Sequence, residues 1–270
     1  MYDCRDKVVL VTGAAAGIGA GLVKAFLDEG ASHVAALDID IKNGKLLEKE
    51  LNDKYGDNKV KFHRCDITTN DLDAVYDSVV KEFGYIDVVV NCAGIMNDKP
   101  DMYLKEIEIN VSALIKSSLK AYDLMRKDRE GKGGTIINIS SIVGLYQSRL
   151  LPVYSATKSA VLQFSNCLGM EPHYSRSGVR VLTLCFGCTD TSLFDSSKLG
   201  TIDKESHEQM MGSLSKLPFQ KPESAVEGLI HAFKHGASAS TWLVTSGRPA
   251  EDITENVRKA YQIMSQGVFS

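Results

Sequence analysis

At 270 residues, 44% of them hydrophobic, the chain has the size and apolar content of one large α/β domain rather than two small ones. A formal net charge of −3 gives no electrostatic footprint for nucleic acid or an anionic membrane surface. No apolar run approaches the roughly 20 residues of a membrane span.

The charged residues at 3–7 lead straight into a β-branched run, without the apolar stretch of a signal peptide, which predicts a soluble, cytoplasmic protein. Strands are predicted at 7–11, 33–37, 59–65, 86–91, 135–140, 179–186 and 242–245. Several are nearly continuous hydrophobic runs, such as Asp87-Val88-Val89-Val90. Strands of that kind are covered on both faces, as in a parallel sheet. Helical patterns, among them 19–29 and 72–83, fill the intervals. The expected fold is α/β: a three-layer doubly wound Rossmann fold with a seven-stranded parallel sheet, one domain over 1–270. The segment 192–220 breaks the rhythm, being long and polar. It follows the sixth strand, at the carboxyl edge where such sheets bind ligands, and reads as a substrate lid; the alternative is a surface insertion.

Between the first strand and the first helix stands Gly13-Ala14-Ala15-Ala16-Gly17-Ile18-Gly19. Glycine there permits a tight turn and close approach of the backbone to a pyrophosphate, while the helix presents its N-terminal N–H groups. Asp38 ends the second strand, 25 residues past Gly13, with Ile39 after it. An acid at that place bonds adenosine ribose hydroxyls and repels a 2′-phosphate, so NAD is expected rather than NADP. Asp66, flanked by Cys65 and Ile67, follows the third strand and faces an adenine amine or makes an ordinary turn. Asn91-Cys92-Ala93-Gly94 follows the fourth, where small residues let a cofactor lie on the backbone.

Tyr154 and Lys158 are four residues apart, on one helix face. A free phenol, with a pKa near about 10, is a poor base at neutral pH, and a nearby ammonium and the positive nicotinamide are together expected to lower it. Tyr154 then takes the proton of a substrate hydroxyl, Ser141 holds the substrate oxygen, and Lys158 also bonds the nicotinamide ribose. Asn110, in a helical apolar pattern, is a structural amide or a kink that holds a water linking Lys158 to solvent. The phenol does the acid–base work, so no metal is expected, and the histidines lack ligand spacing. Cys185 and Cys188 form a C-x-x-C without a second pair, and the cysteines read as reduced thiols.

Taken in order, Thr12-Gly13-x-x-x-Gly17-x-Gly19, Asn91-x-Ala93-Gly94, Asn110, Ser141 and Tyr154-x-x-x-Lys158 resemble the short-chain dehydrogenase/reductase pattern over essentially the whole chain. The resemblance implies a catalytic tetrad of Asn110, Ser141, Tyr154 and Lys158. It also implies a homodimer or homotetramer paired through two long helices, here around 104–126 and 153–174. Ala156, Ala160, Val161, Phe164 and Cys167 form an apolar stripe on the second, for pairing or for the core. Within the family, 131–141 and 152–158 are similar to the NAD-dependent 15-hydroxyprostaglandin dehydrogenase type, and insect alcohol dehydrogenases are related. The turn past the sixth strand, Gly187, Cys188, Thr189 and Thr191, is implied to touch the nicotinamide. Phe186 there replaces a usual proline, Cys92 a usual asparagine, and Leu151 a glutamine of the prostaglandin enzymes. Tyr146, Leu150, Leu151, Leu193 and Phe194 suggest an apolar pocket. The expected activity is oxidation of a secondary or allylic hydroxyl on a lipophilic molecule, prostaglandin-, steroid-, retinoid- or terpenoid-like. The alternatives are an idle dinucleotide-binding sensor or scaffold and an NADP-dependent carbonyl reductase.

Overall fold

Side chains alternate across a strand, so a strand covered on both faces feeds two cores. Val8–Thr12 (β1) does this. Val9 and Val11 join one apolar cluster, Val8 and Leu10 another. The structure, a computed structural model, describes residues 1–268. Its other strands are His33–Asp38 (β2), Val60–Arg64 (β3), Val88–Asn91 (β4), Gly134–Ser141 (β5), Val179–Phe186 (β6), Ser240–Val244 (β7) and Glu251–Asp252 (β8). They form one sheet in the order β3-β2-β1-β4-β5-β6-β7-β8. Every pairing is parallel except that of β7 with β8. The sheet thus has eight strands where the sequence predicts seven. The two-residue β8 carries no hydrophobic run and is a strand only because it returns antiparallel beside β7.

Gly17–Asp28 (α1), Ile41–Tyr55 (α2) and, later in the chain, Pro222–His235 (α9) cover the Val9 face. Asp71–Phe83 (α3) and Leu114–Met125 (α5) cover the Val8 face. These are the outer layers of a doubly wound α/β sandwich. Tyr103–Ile107 (α4) runs into α5 through a π-helical turn, Glu108–Ala113. Pro152–Gly169 (α6) starts with proline in its first turn, where the missing N–H is no loss. His173–Ser177 (α7), Lys204–Leu214 (α8) and Thr254–Met264 (α10) complete the chain. Among the described residues no helix is long and apolar enough to cross a membrane.

Parallel strands put all their carboxyl ends on one edge. Thr12, Asp38, Asn91, Ser141 and Phe186 therefore end on the same side of the sheet, with the reversal of strand order at β1 and β4 between them.

Candidate active site

The glycine positions of the turn past β1 have no room for a side chain. Gly13 has φ +68°, and a Cβ on it would stand 2.8 Å from the Ala93 Cα. A Cβ on Gly19 would be 2.0 Å from the Gly13 carbonyl oxygen. The side chain of Thr12 ties this turn to the next strand end, accepting from the N–H of Cys92 at 3.1 Å and of Ala93 at 3.2 Å. Asp38 Oδ2 accepts from the Ala15 N–H at 2.9 Å, and its Oδ1 from the Asp40 N–H at 3.0 Å. No side chain caps α1 at Ala16, and its first turn holds no acid, so its N-terminal end is left to an anion. Thr191 closes the opposite wall, with its Cγ2 3.2 Å from where a Gly17 Cβ would be. A turn that excludes a Cβ at Gly13, Gly17 and Gly19, an uncapped helix start and a carboxylate at the end of β2 fit a dinucleotide.

The predicted tetrad converges beside that turn. Asn110 is fully buried in the π-helical turn, and such turns recur at functional sites. Its Oδ1 accepts from the Ile95 N–H at 2.9 Å; its Nδ2 donates to the Ile95 carbonyl at 2.8 Å and to Thr157 Oγ1 at 3.2 Å. Gly94 lies between Asn110 and Lys158. A Cβ on it would be 3.1 Å from Asn110 Oδ1 and 3.6 Å from Lys158 Nζ. The Lys158 ammonium donates to the Ile139 carbonyl at 3.1 Å and lies 5.5 Å from the Tyr154 ring centre. Ser141, at the end of β5, donates to the Phe186 carbonyl at 3.3 Å, accepts from the Val143 N–H at 3.4 Å, and lies close enough to the Tyr154 phenol to favour its anion.

The protein's own groups do not make the phenol acidic. Burial pushes Tyr154 above its ordinary value, against the Ser141 bond that lowers it, and Glu106, Cys188 and Asp98 add to the rise. Burial also brings Lys158 down to about 8. Of the two charges expected to lower the phenol, the chain supplies only the ammonium, and desolvation of a buried anion outweighs an ammonium that is itself desolvated.

An apolar cap covers the phenol. Met96, Val143, Leu151, Tyr154, Leu199 and Met210 form one cluster, with Leu193 and Phe194 against it. The segment 192–220 is not an open loop. It holds a short 3-10 turn at Ser192–Phe194 and α8, whose start is capped by Asp203 Oδ1 accepting from the Ser206 N–H at 2.7 Å. Its middle is pinned, with the Asp98 N–H donating to the Gly200 carbonyl at 3.0 Å. Asn97 Nδ2 donates to the Lys198 carbonyl, also at 3.0 Å.

Residues 7–200 match the family model described as short chain dehydrogenase. The chain belongs to the short-chain dehydrogenase family. Rat 15-hydroxyprostaglandin dehydrogenase (NAD(+)) is 32% identical to it over 242 residues, covering 86% of this chain and 88% of the relative. Alcohol dehydrogenase 1 of Ceratitis cosyra is 41% identical over 150 residues, 55% of this chain and 56% of that one. A 3-ketoacyl-(acyl-carrier-protein) reductase of Brucella melitensis, solved with NADH, aligns at TM-score 0.75 and 23% identity over 91% of this chain and 99% of its own, a likeness of fold.

In this short-chain dehydrogenase several predicted cofactor side chains are committed elsewhere. Asn91 points inward: its Nδ2 donates to Ser118 Oγ at 3.0 Å and Asn138 Oδ1 at 2.8 Å, and its Oδ1 accepts from Ser117 Oγ at 2.6 Å. The Cys65 thiol lies in the core formed with α3 and α5. Thr189 Oγ1 donates to the Gly187 carbonyl at 3.0 Å and accepts from Gln220 Nε2 at 3.1 Å. None of these three side chains is free to meet a ligand. Asp66 turns back on its own loop, accepting at Oδ1 from the Thr68 N–H at 3.0 Å and hydroxyl at 2.7 Å. Ile39 is 66% exposed, and Ile67 packs partly buried against the core formed with α3 and α5. Cys188 is half-buried beside the pocket. Phe186 keeps its place in the ladder opposite Ser141 and Val244, which a proline cannot do. On α6 the stripe divides: Val161 is in the core, while Ala156 and Cys167 are exposed.

Three residues that hold the site's surroundings together escape sequence reasoning. Gln220 donates to Thr189 and, at 3.0 Å, to the Val244 carbonyl, and so anchors the far end of the segment 192–220. Asp98 and Glu106 lie under α6. No local motif marks them, because their partners are distant in sequence.

Proposed function

We propose that this protein is an NAD-dependent short-chain alcohol dehydrogenase that oxidises a secondary or allylic hydroxyl of a lipophilic alcohol, reversibly. One observation carries the reading: the Tyr154 phenol, near Ser141 and beside Lys158, lies next to a tight glycine turn and under an apolar cap. Gly13, Ala16, Gly17, Ile18 and Gly19 hold the pyrophosphate, Asp38 the adenosine ribose, and Gly94, Gly187 and Thr191 the nicotinamide side. NAD bound there supplies a two-electron acceptor for carbon-bound hydrogen and a positive charge near the phenol. Tyr154 takes the hydroxyl proton, and in reverse donates it to the carbonyl oxygen. Ser141 holds that oxygen beside the phenol. Lys158 favours the phenolate and bonds the nicotinamide ribose, and Asn110 fixes the backbone at Ile95 that borders Lys158. Leu151, Leu193 and Phe194 receive the alcohol's apolar body, at about 25 cal/mol per Å² of apolar surface removed from water. The segment 192–220 acts as the substrate lid. Relatives named for a prostaglandin and for alcohols support the reaction class. The reading includes a cytoplasmic homodimer or tetramer; Leu104, Ile107 and Leu119, exposed along α4 and α5, are the apolar surface in favour of it.

The test is Tyr154→Phe, assayed by NADH absorbance with a panel of lipophilic secondary alcohols. The variant is expected to bind NADH as wild type does and to lose turnover by roughly two to four orders of magnitude, the usual contribution of a positioned acid–base group. Equal activity in the two proteins sinks the assignment of Tyr154. A panel on which wild type itself shows no turnover favours an idle dinucleotide-binding protein.

A further inference from the structure

Two carboxyl groups lie beneath the first turn of α6, and the chemistry of Tyr154 and Lys158 uses neither. Asp98, 2% exposed, accepts from the backbone N–H of Val153 at 2.6 Å and of Tyr154 at 3.0 Å. The first N–H groups of a helix have no partner within it, and Leu151 supplies no side-chain cap. Asp98 therefore closes the end of the helix that carries Tyr154, with charge-assisted bonds. Glu106, on α4, is 0% exposed. Its Oε1 accepts from the Asn97 N–H at 3.0 Å, while its Oε2 meets no N–H or O–H donor. The two carboxyls are within hydrogen-bonding reach of each other.

An orphaned buried carboxylate oxygen is costly, and two buried anions in contact are costlier. A single proton between them removes both penalties. The surroundings settle where it sits. Asp98 accepts two backbone N–H bonds, which favour its anion, and Glu106 accepts one. We propose that Glu106 is a positioning residue: as a carboxylic acid it donates to Asp98, and so fixes the first turn of α6 and the place of Tyr154 against Ser141. The proposal rests on the reading of Tyr154 as the proton carrier. Glu106 is held at about 8, chiefly by burial and then by the Asp98 charge, against the Asn97 bond and the Lys158 ammonium. The groups that bear on it are thus Asp98, from the loop before its own helix, and Lys158, from α6. Above that pH the bond to Asp98 is lost, and Glu106 becomes a second anion that opposes ionisation of the phenol as Asp98 does.

The sign for stability follows. A carboxyl whose folded value lies above its unfolded value stabilises the fold at low pH and loses that contribution as pH rises from the ordinary 4.5 to about 8. Glu106→Gln keeps a donor toward Asp98 and cannot ionise; Glu106→Leu keeps neither. Melting temperatures of wild type and E106Q are compared from pH 5 to pH 9, together with kcat and KM across the same range. The difference is expected to move in favour of E106Q as pH rises, and the fall of wild-type kcat above about pH 8 to be absent in E106Q. E106L is expected to lower kcat by on the order of tenfold or more with KM for NAD little changed, since misplacing a catalytic group by about 1 Å costs up to about a hundredfold. E106Q restores what E106L loses. A constant melting difference between E106Q and wild type overturns the proposal, as does an unaltered high-pH limb in E106Q. The melting arm reads the pair even in a protein that oxidises no alcohol. Failure of the pair and failure of the dehydrogenase reading are therefore separate results.

Discussion

Asp38 stands at the point where one side chain separates two cofactors. Its Oδ2 accepts from the Ala15 N–H and its Oδ1 from the Asp40 N–H, so the carboxylate is fixed against the glycine turn before any ligand arrives. A fixed anion there accepts from ribose hydroxyls and repels a 2′-phosphate. Asp38→Ala removes the acceptor and the repulsion together, and also loosens Ala15. NAD binding is expected to weaken by roughly tenfold, about 1.4 kcal/mol, while NADP binding improves relative to it. Titration of both reduced cofactors by fluorescence gives the ratio. An unchanged preference removes Asp38 from the nucleotide site. The residues of this kind were readable from sequence because each sits in a short contiguous motif whose spacing fixes its place: Asp38 at a strand end, Tyr154 and Lys158 on one helix face. Asp98 and Glu106 were not, because a cap on α6 supplied from the loop after β4 leaves no local spacing.

Between elements, buried polar bonds hold the layers in register. Tyr76 of α3 meets Ser117 of α5 at 2.9 Å, Ser117 meets Asn91 of β4, and Asn91 meets Asn138 of β5. Asn138 continues the chain, with Oδ1 accepting from Ser118 Oγ at 3.1 Å and Nδ2 donating to Ser165 Oγ of α6 at 2.9 Å. The network thus runs from one side of the sheet to the helix that carries Tyr154 and Lys158. Asn138→Leu leaves Asn91, Ser118 and Ser165 each one partner short in a dry interior. It is expected to cost about 1–3 kcal/mol, seen as a lower urea midpoint at unchanged m-value. No loss would mean that water or rotation of the serines replaces the amide. In the sequence Asn138 sits in an apolar strand as part of a glycosylation sequon. Its sequence neighbours cannot show that it is fully buried, since its partners come from α5, β4 and α6. The α8 helix was hidden for a similar reason. Its polar sequence has only Met210 buried, and that burial depends on the cap around Tyr154.

Across the whole molecule, the alternation of strands and helices was legible because a sheet buried on both faces demands near-continuous apolar runs. The eighth strand was not, since two exposed acidic residues carry no such signature. The same burial that makes the fold readable sets its response to acid. His33 of β2 donates from Nδ1 to the Asn58 carbonyl at 2.8 Å and stacks on Phe83, with ring centres 3.8 Å apart. Its Nε2, and that of His63 on β3, are buried without partners. Burial lowers both imidazoles, His63 to about 4, with Lys61 adding to the effect. The fold therefore prefers them neutral. As pH falls below the ordinary 6.5 the unfolded chain takes up protons first, and the stability these histidines contribute is lost down to about 4. This slope is opposite to that of Glu106, and from 4.5 to 6.5 the two offset each other, so each is read by comparing its own variant with wild type. His63→Gln removes the titration on the acid limb alone. The melting temperature of the variant relative to wild type is expected to rise as pH goes from 7 to 5, and to stay level from 7 to 9. A difference independent of pH over the acid limb would show that His63 is no more protonated in the unfolded chain than in the fold, and would leave the carboxylates as the cause of acid unfolding.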